Sequence, residues 1–313
     1  MRIALVLGSG GAKGYAHIGV IEELKARGHE ISVISGASMG AVIGGLEAAG
    51  VLGDFRDWAS SLSYFDVLRF MDIGLGRGGI LKAERIISRI GEICGDVNIE
   101  DLPIPYTAVS SDVTAQREVW FQRGPLTSAM RASIGIPGFI APVLLDEHLL
   151  VDGGVLNPIP VEPTLAVPTD VTVAVSLHGR DPFQASQLIA DAGNVESLDE
   201  DSGDSSVFSR FIGDKIAGFF SQNSHDAEEM EAEIEEERRL IVADGRASIV
   251  EVMEKSLTVL EDRMEQVRKA ISPANVYVEV PADVCSTWDF HRADEVSEVG
   301  RELAIDAFDC AGL

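Results

Sequence analysis

The sequence is poor in cysteine, in lysine and in long apolar runs. Its three cysteines, Cys94, Cys285 and Cys310, form neither a disulfide framework nor a metal-binding pattern. The longest stretch without charges, residues 31–46, is too short for a transmembrane helix and is interrupted by Gly and Ser. The first apolar run, residues 3–7, is too short for a signal peptide. We therefore expect a cytoplasmic protein without structural disulfides or membrane-spanning helices.

Positive charge is also scarce, because 51 acidic residues face only 25 basic ones, and the net charge is −26. Such a surface repels phosphate backbones, so we expect no nucleic-acid partner. It also opposes tight docking to anionic membranes at low salt, which leaves only transient membrane contact. Nineteen of the basic residues are Arg and six are Lys. Excess carboxylate with little Lys suits molar salt, where charges are screened. We therefore predict a halophilic protein, with an ordinary acidic protein as the alternative.

What the sequence has in quantity is apolar residues, 46% of its 313 positions, which is enough for one large or two ordinary domains. An apolar run at residues 3–7 precedes a helical pattern at 14–27, and a second run at 31–35 precedes one at 39–49. Strands that alternate with helices indicate a mainly parallel sheet covered on both faces. We predict an α/β protein of three layers, α/β/α.

Composition divides the chain into three predicted segments: an α/β domain at 1–178, an acidic insertion at 179–246, and a helix–strand–helix at 247–313 that packs on the first. Residues 191–237 carry 15 acidic and 2 basic side chains, which is typical of a solvated, mobile segment. Within them, apolar residues at 207–220 recur at helical spacing. This stretch fits either a helix packed on the core or a lid that meets lipid.

A nucleophile motif, Gly36-Ala37-Ser38-Met39-Gly40, lies between a predicted strand and a predicted helix. In that context G-x-S-x-G indicates a strained turn that presents the Ser38 hydroxyl at the end of the strand. The glycines Gly36 and Gly40 permit the turn, and the helix directs its positive end at developing negative charge. Alternatively, Ser38 only caps the helix.

A glycine-rich loop, residues 8–14, also lies between a predicted strand and helix. Lys13 stands where a dinucleotide-binding G-x-G-x-x-G would need its last Gly, and Gly14 stands where a Walker A loop needs Ser or Thr. Free amides in such a loop bind anions, and with a nucleophile motif nearby we predict an oxyanion hole. A tight turn without function is the alternative.

A third motif, Asp152-Gly153-Gly154, follows an apolar strand, where a carboxylate can face a cleft at the end of the sheet. Taken alone, this motif is also a common turn. Together and in this order, the three motifs resemble the patatin-like phospholipase family, especially the bacterial-type branch related to neuropathy target esterase. Residues 15–20, 131–139 and 289–295 fit that branch as well. The resemblance covers residues 1–178 and roughly 247–313.

The resemblance implies a three-layer patatin-like fold and hydrolysis of a lipid acyl ester through a Ser–Asp dyad. Ser38 would attack the ester carbonyl, and Asp152 would accept the proton and later activate water. The oxyanion would be held by the loop of Gly10, Gly11, Ala12 and Lys13, with Gly153 and Gly154 completing the aspartate motif. The side chain of Lys13 would aid this loop, contact a head-group phosphate, or be solvated. An Asp of ordinary pKa, about 3.9, is however a poor base for a serine hydroxyl.

Histidine offers a rival base, because the order Ser38, Asp152, His178 is that of α/β-hydrolases. Those folds place several strands before the nucleophile, whereas a single strand is predicted before that of Ser38. His17 is expected to pack beneath the glycine loop, and His291 to lie in the tail; we assign neither to chemistry. No cofactor and no metal site is expected.

Two other functions remain open from the sequence alone. The chain could be a non-catalytic lipid-binding or regulatory protein of the same fold, or a phosphate or nucleotide binder that uses the glycine loop. The presence of both Ser38 and Asp152 argues against the first of these. Phospholipid, lysophospholipid, neutral ester and thioester are all open as substrates, and the sequence gives no oligomeric state.

Overall fold

The computed structural model describes residues 1–70, 83–179 and 249–313. The chain forms two compact units, residues 1–195 with 260–313, and residues 196–259. The acidic block predicted at 191–237, with its apolar stretch at 207–220, lies outside the described residues, as does most of the insertion predicted at 179–246.

A sheet of eight strands organises the larger unit. Its path is β5-β6-β3-β2-β1-β7-β8, and β4 pairs with β3 beside this path. Five neighbouring strands of this path run parallel to one another: β3, β2, β1, β7 and β8. The other three strands, β4, β5 and β6, join the sheet in antiparallel pairs. The strands are β1 Arg2–Leu7, β2 Glu30–Ala37, β3 Tyr106–Asp112, β4 Arg117–Phe121, β5 Val143–Leu145, β6 His148–Asp152, β7 Val171–Gly179 and β8 Val276–Pro281.

The described helices connect these strands. They are α1 Ala16–Ala26, α2 Met39–Ala48, α3 Leu52–Ser60, α4 Tyr64–Phe70, α5 Glu84–Cys94, α6 Leu126–Ser133, α7 Ile249–Ile271 and α8 Ala293–Ala311. Single 3-10 turns occur at Gly11–Tyr15, Ile99–Asp101, Gly153–Val155 and Glu162–Thr164. Residues 260–271 of α7 belong to the larger unit. None of the helices in the described ranges is long and apolar enough to span a bilayer.

Alternation along β1 shows how the two faces of the sheet are covered. Ile3, Leu5 and Leu7 are fully buried in the main core with residues of α1, α2 and α8. Val6 points to the other face and packs with Ala174 of β7 in a second, smaller core. Because side chains alternate along a strand, Ser176 and His178 of β7 lie on the same face as Ala174. Helix α7 covers that face, as its side-chain contacts with both residues show.

The C-terminal segment is part of the same fold. Strand β8 extends the sheet beside β7, and α8 packs along α1. The guanidinium of Arg27, at the end of α1, donates to the carbonyl oxygens of Ile305 and Leu313. The prediction of an α/β fold with a mainly parallel sheet between helical layers is confirmed. The helix–strand–helix predicted at 247–313 corresponds to α7, β8 and α8.

Candidate active site

Ser38 occupies the turn between β2 and α2 with φ 54° and ψ −126°. Residues other than Gly rarely adopt this backbone conformation. The elbow is tight enough that a Cβ at Gly36 would collide with the carbonyl of Gly40, and one at Gly40 with the carbonyl of Leu7. The amide of Ser38 donates to Oγ of Ser133 at 2.9 Å. The position of the serine is therefore fixed by the end of β2, by the two glycines and by this hydrogen bond.

Strand pairing brings Asp152 to the same edge of the sheet. Ala37, the last residue of β2, is opposite Val109 of β3, and the next residue of β3, Ser110, is opposite Asp152. The hydroxyl of Ser38 donates to Oδ2 of Asp152 at 2.6 Å. Both side chains are buried, with 4% and 2% exposure. The two residues that the sequence predicts as a dyad are therefore in direct contact.

Asp152 has unusual electrostatics. Its Oδ1 accepts from the amide of Gly154 at 2.8 Å, which fixes the carboxylate plane. The pKa of Asp152 is raised from its ordinary 3.8 to about 7. Burial is the largest cause and the negative charge of Glu261 adds to it, while the hydrogen bonds from Ser38 and Gly154 act against it. A carboxylate whose pKa is near 7 is a far better proton acceptor than an ordinary Asp.

The glycine-rich loop lies beside the dyad as a 3-10 turn over Gly11–Tyr15. Gly11 borders the same pocket as Ser38 and Met39. The amide of Ala12, predicted as an oxyanion donor, donates instead to the carbonyl oxygen of Thr287 at 2.9 Å. That hydrogen bond connects the loop to the C-terminal segment. The amide of Ala12 is therefore occupied and does not donate to an oxyanion, unlike the prediction for this loop. Met39 follows Ser38, and in elbows of this type the residue after the serine supplies a backbone amide to the oxyanion hole.

Lys13 is buried, with 5% exposure, so its side chain is not solvated. Beneath the loop, Nε2 of His17 donates to the carbonyl oxygen of Gly8 at 2.9 Å. Burial lowers the pKa of His17 to about 4, so the ring is neutral and packs as the sequence predicts. The ring of His291 packs edge-on against Tyr64 at 5.5 Å between centroids.

His178, the rival base, bonds two glutamates, whereas the hydroxyl of Ser38 bonds Asp152. Its Nδ1 is 2.9 Å from Oε2 of Glu265, and its Nε2 is 3.3 Å from Oε2 of Glu261. Burial lowers the pKa of this imidazole, but the hydrogen bonds and charges of the two glutamates outweigh burial and raise it to about 9. An imidazole already protonated and held between two carboxylates is no proton acceptor for a serine. Asp152 is the partner of Ser38 in this structure.

A pocket opens onto Ser38. Its empty volume is about 890 Å³, which includes the open solvent at its mouth. Apart from Ser38 and Gly11, the described residues that line it are aromatic and aliphatic, and none of them is charged. The aromatic walls are Tyr15, Phe55, Trp58, Phe70, Trp288 and Phe290; the aliphatic walls are Met39, Val42, Leu62, Val67, Ala83, Ile86, Ile90, Ile134, Ile136 and Ile140. An apolar chain suits this lining, and a charged head group does not.

Four features near Ser38 and Asp152 were not predicted from the sequence: Ser133, the place of Met39 in the pocket wall, the charge of Glu261 and the apolar pocket. Met39 could have been found, because the residue after the nucleophile supplies an amide in this motif. Ser133 lies within the family segment 131–139, yet a single Ser carries no signal of its own. In the described part of the chain, no three His, Cys, Asp or Glu side chains are placed to hold a metal ion.

Comparison with known proteins identifies the family of this chain. The family model described as patatin-like phospholipase matches residues 5–165. An uncharacterized NTE family protein of Mycobacterium bovis is 41% identical over 329 aligned positions, covering 98% of this chain and 91% of its own length. Neuropathy target esterase sws of Drosophila persimilis is 34% identical over 165 positions, 50% of this chain but 11% of that protein.

Two further similarities are more distant. Patatin-like phospholipase domain-containing protein 7 of Rattus norvegicus is 32% identical over 57% of this chain and 14% of its own length. Among solved structures, the crystal structure of VipD from Legionella pneumophila matches with a TM-score of 0.43 and 12% identity, over 99% of this chain and 67% of that one.

Proposed function

Because the chain belongs to the patatin-like phospholipase family, we propose that it is a serine hydrolase that cleaves lipid acyl esters through Ser38 and Asp152. The observation that carries the proposal is the 2.6 Å hydrogen bond between Ser38 Oγ and Asp152 Oδ2 at the end of an apolar pocket. Nucleophile, base and a site for an apolar chain thereby converge on one point.

The geometry supports a two-step reaction. Ser38 Oγ attacks the ester carbonyl carbon while its proton passes to Asp152 Oδ2, and the carbonyl oxygen becomes an oxyanion. The intermediate collapses, the C–O bond to the alcohol breaks, and the alcohol leaves with the proton from Asp152. Water then attacks the acyl-enzyme while Asp152 takes its proton. The bond between Ser38 Oγ and the acyl carbon breaks, Asp152 returns the proton to Ser38 Oγ, and the acid is released.

Backbone amides stabilise the oxyanion in this proposal. Gly11 and Met39 line the pocket beside Ser38, and α2 begins at Met39, so its positive end lies at the same point. We assign the oxyanion to the amides of these two residues. The amides of Ser38 and Ala12 are already used, by Ser133 Oγ and the Thr287 carbonyl. In this proposal the oxyanion hole therefore uses fewer amides of the glycine loop than the four that the sequence predicts.

Substrate choice is expected to follow from the pocket. Val42 lies one helical turn after Ser38 and lines the pocket. Val42→Phe is expected to shorten the space for the acyl chain. Two or three excluded methylenes, each worth about 0.8 kcal/mol, would lower kcat/KM for a dodecanoyl ester by about ten- to fifty-fold. The acetyl ester should change by less than about three-fold.

The matched control is Val113→Phe, a valine that is 43% exposed and lies outside the pocket. It should leave the ratio of dodecanoyl to acetyl ester hydrolysis unchanged. A Val42→Phe enzyme that loses activity equally on both esters would mean that the acyl chain does not occupy this pocket.

The proposed function is tested by a fluorophosphonate probe at pH 8, in low salt and in molar KCl. Attack by Ser38 Oγ would form an O–P bond and release fluoride, and the label should map to Ser38. Hydrolysis of p-nitrophenyl and phospholipid esters would follow. A folded protein that takes up no label at Ser38 in either salt would contradict the proposal.

A further inference from the structure

A buried group of charged side chains lies behind the dyad, on the face of the sheet covered by α7. His178 is held between Glu261 and Glu265, at 3.3 Å and 2.9 Å. The side chains of His178 and Glu265 are each 3% exposed, and that of Glu261 is 20% exposed. Charged groups are seldom buried to this degree without a function or an exact pairing.

Glu261 links this group to the dyad through Gly154. A Cβ built on Gly154 would lie 2.6 Å from Oε1 of Glu261 and 2.5 Å from Oγ of Ser9. The amide of the same Gly154 donates to Oδ1 of Asp152. Glu261 and Asp152 therefore flank one backbone residue, and a side chain at Gly154 would displace the carboxylate of Glu261 or the hydroxyl of Ser9.

We propose that Glu261, fixed by His178, is a positioning residue of the dyad whose negative charge makes Asp152 a stronger proton acceptor. The inference rests on the proposed function, because it assigns Glu261 a role only through Asp152. The physical reason is that two carboxylates in a poorly solvated site repel each other, so a proton on Asp152 relieves the repulsion. The negative charge of Glu261 is among the causes that raise the pKa of Asp152.

His178 explains how a second carboxylate is kept so close to Asp152. Its imidazolium bonds Oε2 of Glu261, whereas Oε1 is the oxygen next to Gly154, so the carboxylate is held in place and its charge is partly balanced. Glu265 accepts from Ser176 Oγ and pairs with Lys269 at 2.7 Å, which completes the alternation of charges. A single Glu at this place, without His178, would be costly to bury.

Other charged groups near the dyad are already paired with one another. Asp112 is 2.7 Å from His148 and 3.8 Å from Arg117, toward the opposite end of β6 from Asp152. Elements around Asp152 carry further charged groups. They include Lys13 in the 3-10 turn; Arg131 on α6; His178 on β7; Glu261, Asp262, Arg263, Glu265, Arg268 and Lys269 on α7; Glu279 on β8; Glu118 on β4; and Glu162 after β6. Of these, Glu261 is the one whose charge acts on Asp152 most directly.

The test is the pH dependence of fluorophosphonate labelling, which reports the ionisation of Asp152 without a substrate-binding step. In the unaltered protein the labelling rate should rise with pH through a midpoint near 7. Glu261→Gln removes the charge and keeps the shape, so its midpoint is expected to fall by about half a unit to one unit. At pH 8.5 its rate should be several-fold lower, because a weaker base accepts the serine proton less readily.

Two variants separate charge from packing. Asp262→Asn removes one negative charge at the next position of α7, where Asp262 accepts from Gln266, and should leave the midpoint unchanged. Glu261→Asp keeps the charge and should hold the midpoint within about 0.3 unit of the unaltered value. Melting temperatures of all three variants show whether each is folded.

The outcomes distinguish the inference from the proposed function. A folded Glu261→Gln protein with an unshifted midpoint would overturn the role of Glu261 while leaving the dyad in place. Equal shifts in Glu261→Gln and Glu261→Asp would also overturn it, since packing and not charge would then be responsible. Absence of labelling in the unaltered protein would instead contradict the dyad itself.

Discussion

Replacing Ser38 by alanine is expected to abolish fluorophosphonate labelling and to lower ester hydrolysis by at least about a thousand-fold. The variant lacks the only hydroxyl that contacts Asp152 Oδ2 in the described structure, and Asp152 cannot form the acyl-enzyme in its place. The fold should persist, because the backbone turn is held by the Ser38 amide and by the close contacts of Gly36 and Gly40. Initial rates with a p-nitrophenyl ester measure the loss of hydrolysis, and a thermal melt shows whether the variant is folded.

Ser38→Gly is the matched variant. It lacks the same hydroxyl, but Gly adopts φ 54° and ψ −126° without the steric cost that a Cβ carries there. We expect both variants to be inactive and the glycine variant to be more stable than the alanine variant by about 1 kcal/mol. Residual hydrolysis at more than a few per cent in either protein would show that another group is the nucleophile.

Asp152→Asn is expected to have the second large effect, a loss of at least about a thousand-fold in kcat. The amide keeps the shape of the carboxylate and its bond from Gly154, but it accepts no proton from Ser38. The unaltered enzyme should gain activity as pH rises through about 7, where Asp152 loses its proton. The residual rate of the Asp152→Asn variant should not rise with pH in this range.

The same substitution is expected to stabilise the fold, and more so at high pH. The unfolded chain loses the Asp152 proton near 3.8, whereas the folded protein keeps it until about 7. Raising the pH from 4 to 7 therefore favours the unfolded state, and the full penalty applies above 7. Asp152→Asn removes that penalty, so its advantage should be near zero at pH 4 and on the order of 1–3 kcal/mol at pH 8. Urea unfolding at the two pH values measures the difference in the free energy of unfolding between the variant and the unaltered protein. An equal difference at both pH values would contradict the raised pKa of Asp152.

The fold class could be predicted because its signals are local. Apolar runs at 3–7 and 31–35, each followed by a helical pattern, were enough to indicate a parallel sheet, and β1, α1, β2 and α2 confirm them. Ser38 and Asp152 could be found for the same reason, since each lies in a short motif at the end of a strand. The structure brings them together through the pairing of β2, β3 and β6.

Glu261 could not be predicted in this way. It lies on one turn of a charged helix, 83 positions from the histidine it bonds, and nothing in the sequence marks the pairing. His178 did stand out, but the chain order of α/β-hydrolases suggested a base, whereas its two ring nitrogens face carboxylates. Long-range contacts of this kind depend on which face of β7 lies under α7, which no local pattern specifies. The sequence also raised the question of how an ordinary Asp could serve as base, and burial beside Glu261 supplies a physical answer.

The bond between Ala12 and Thr287 has a consequence for the order in which the protein is made. Thr287 holds the glycine loop, Trp288 and Phe290 form part of the pocket wall, and the carbonyl of Phe290 accepts from Tyr15. A ribosome that has completed the motifs of Ser38 and Asp152 must still translate more than a hundred codons before these residues exist. Chains that stop before residue 287 therefore carry Ser38 and Asp152 without the contact that holds the glycine loop and without this part of the pocket wall.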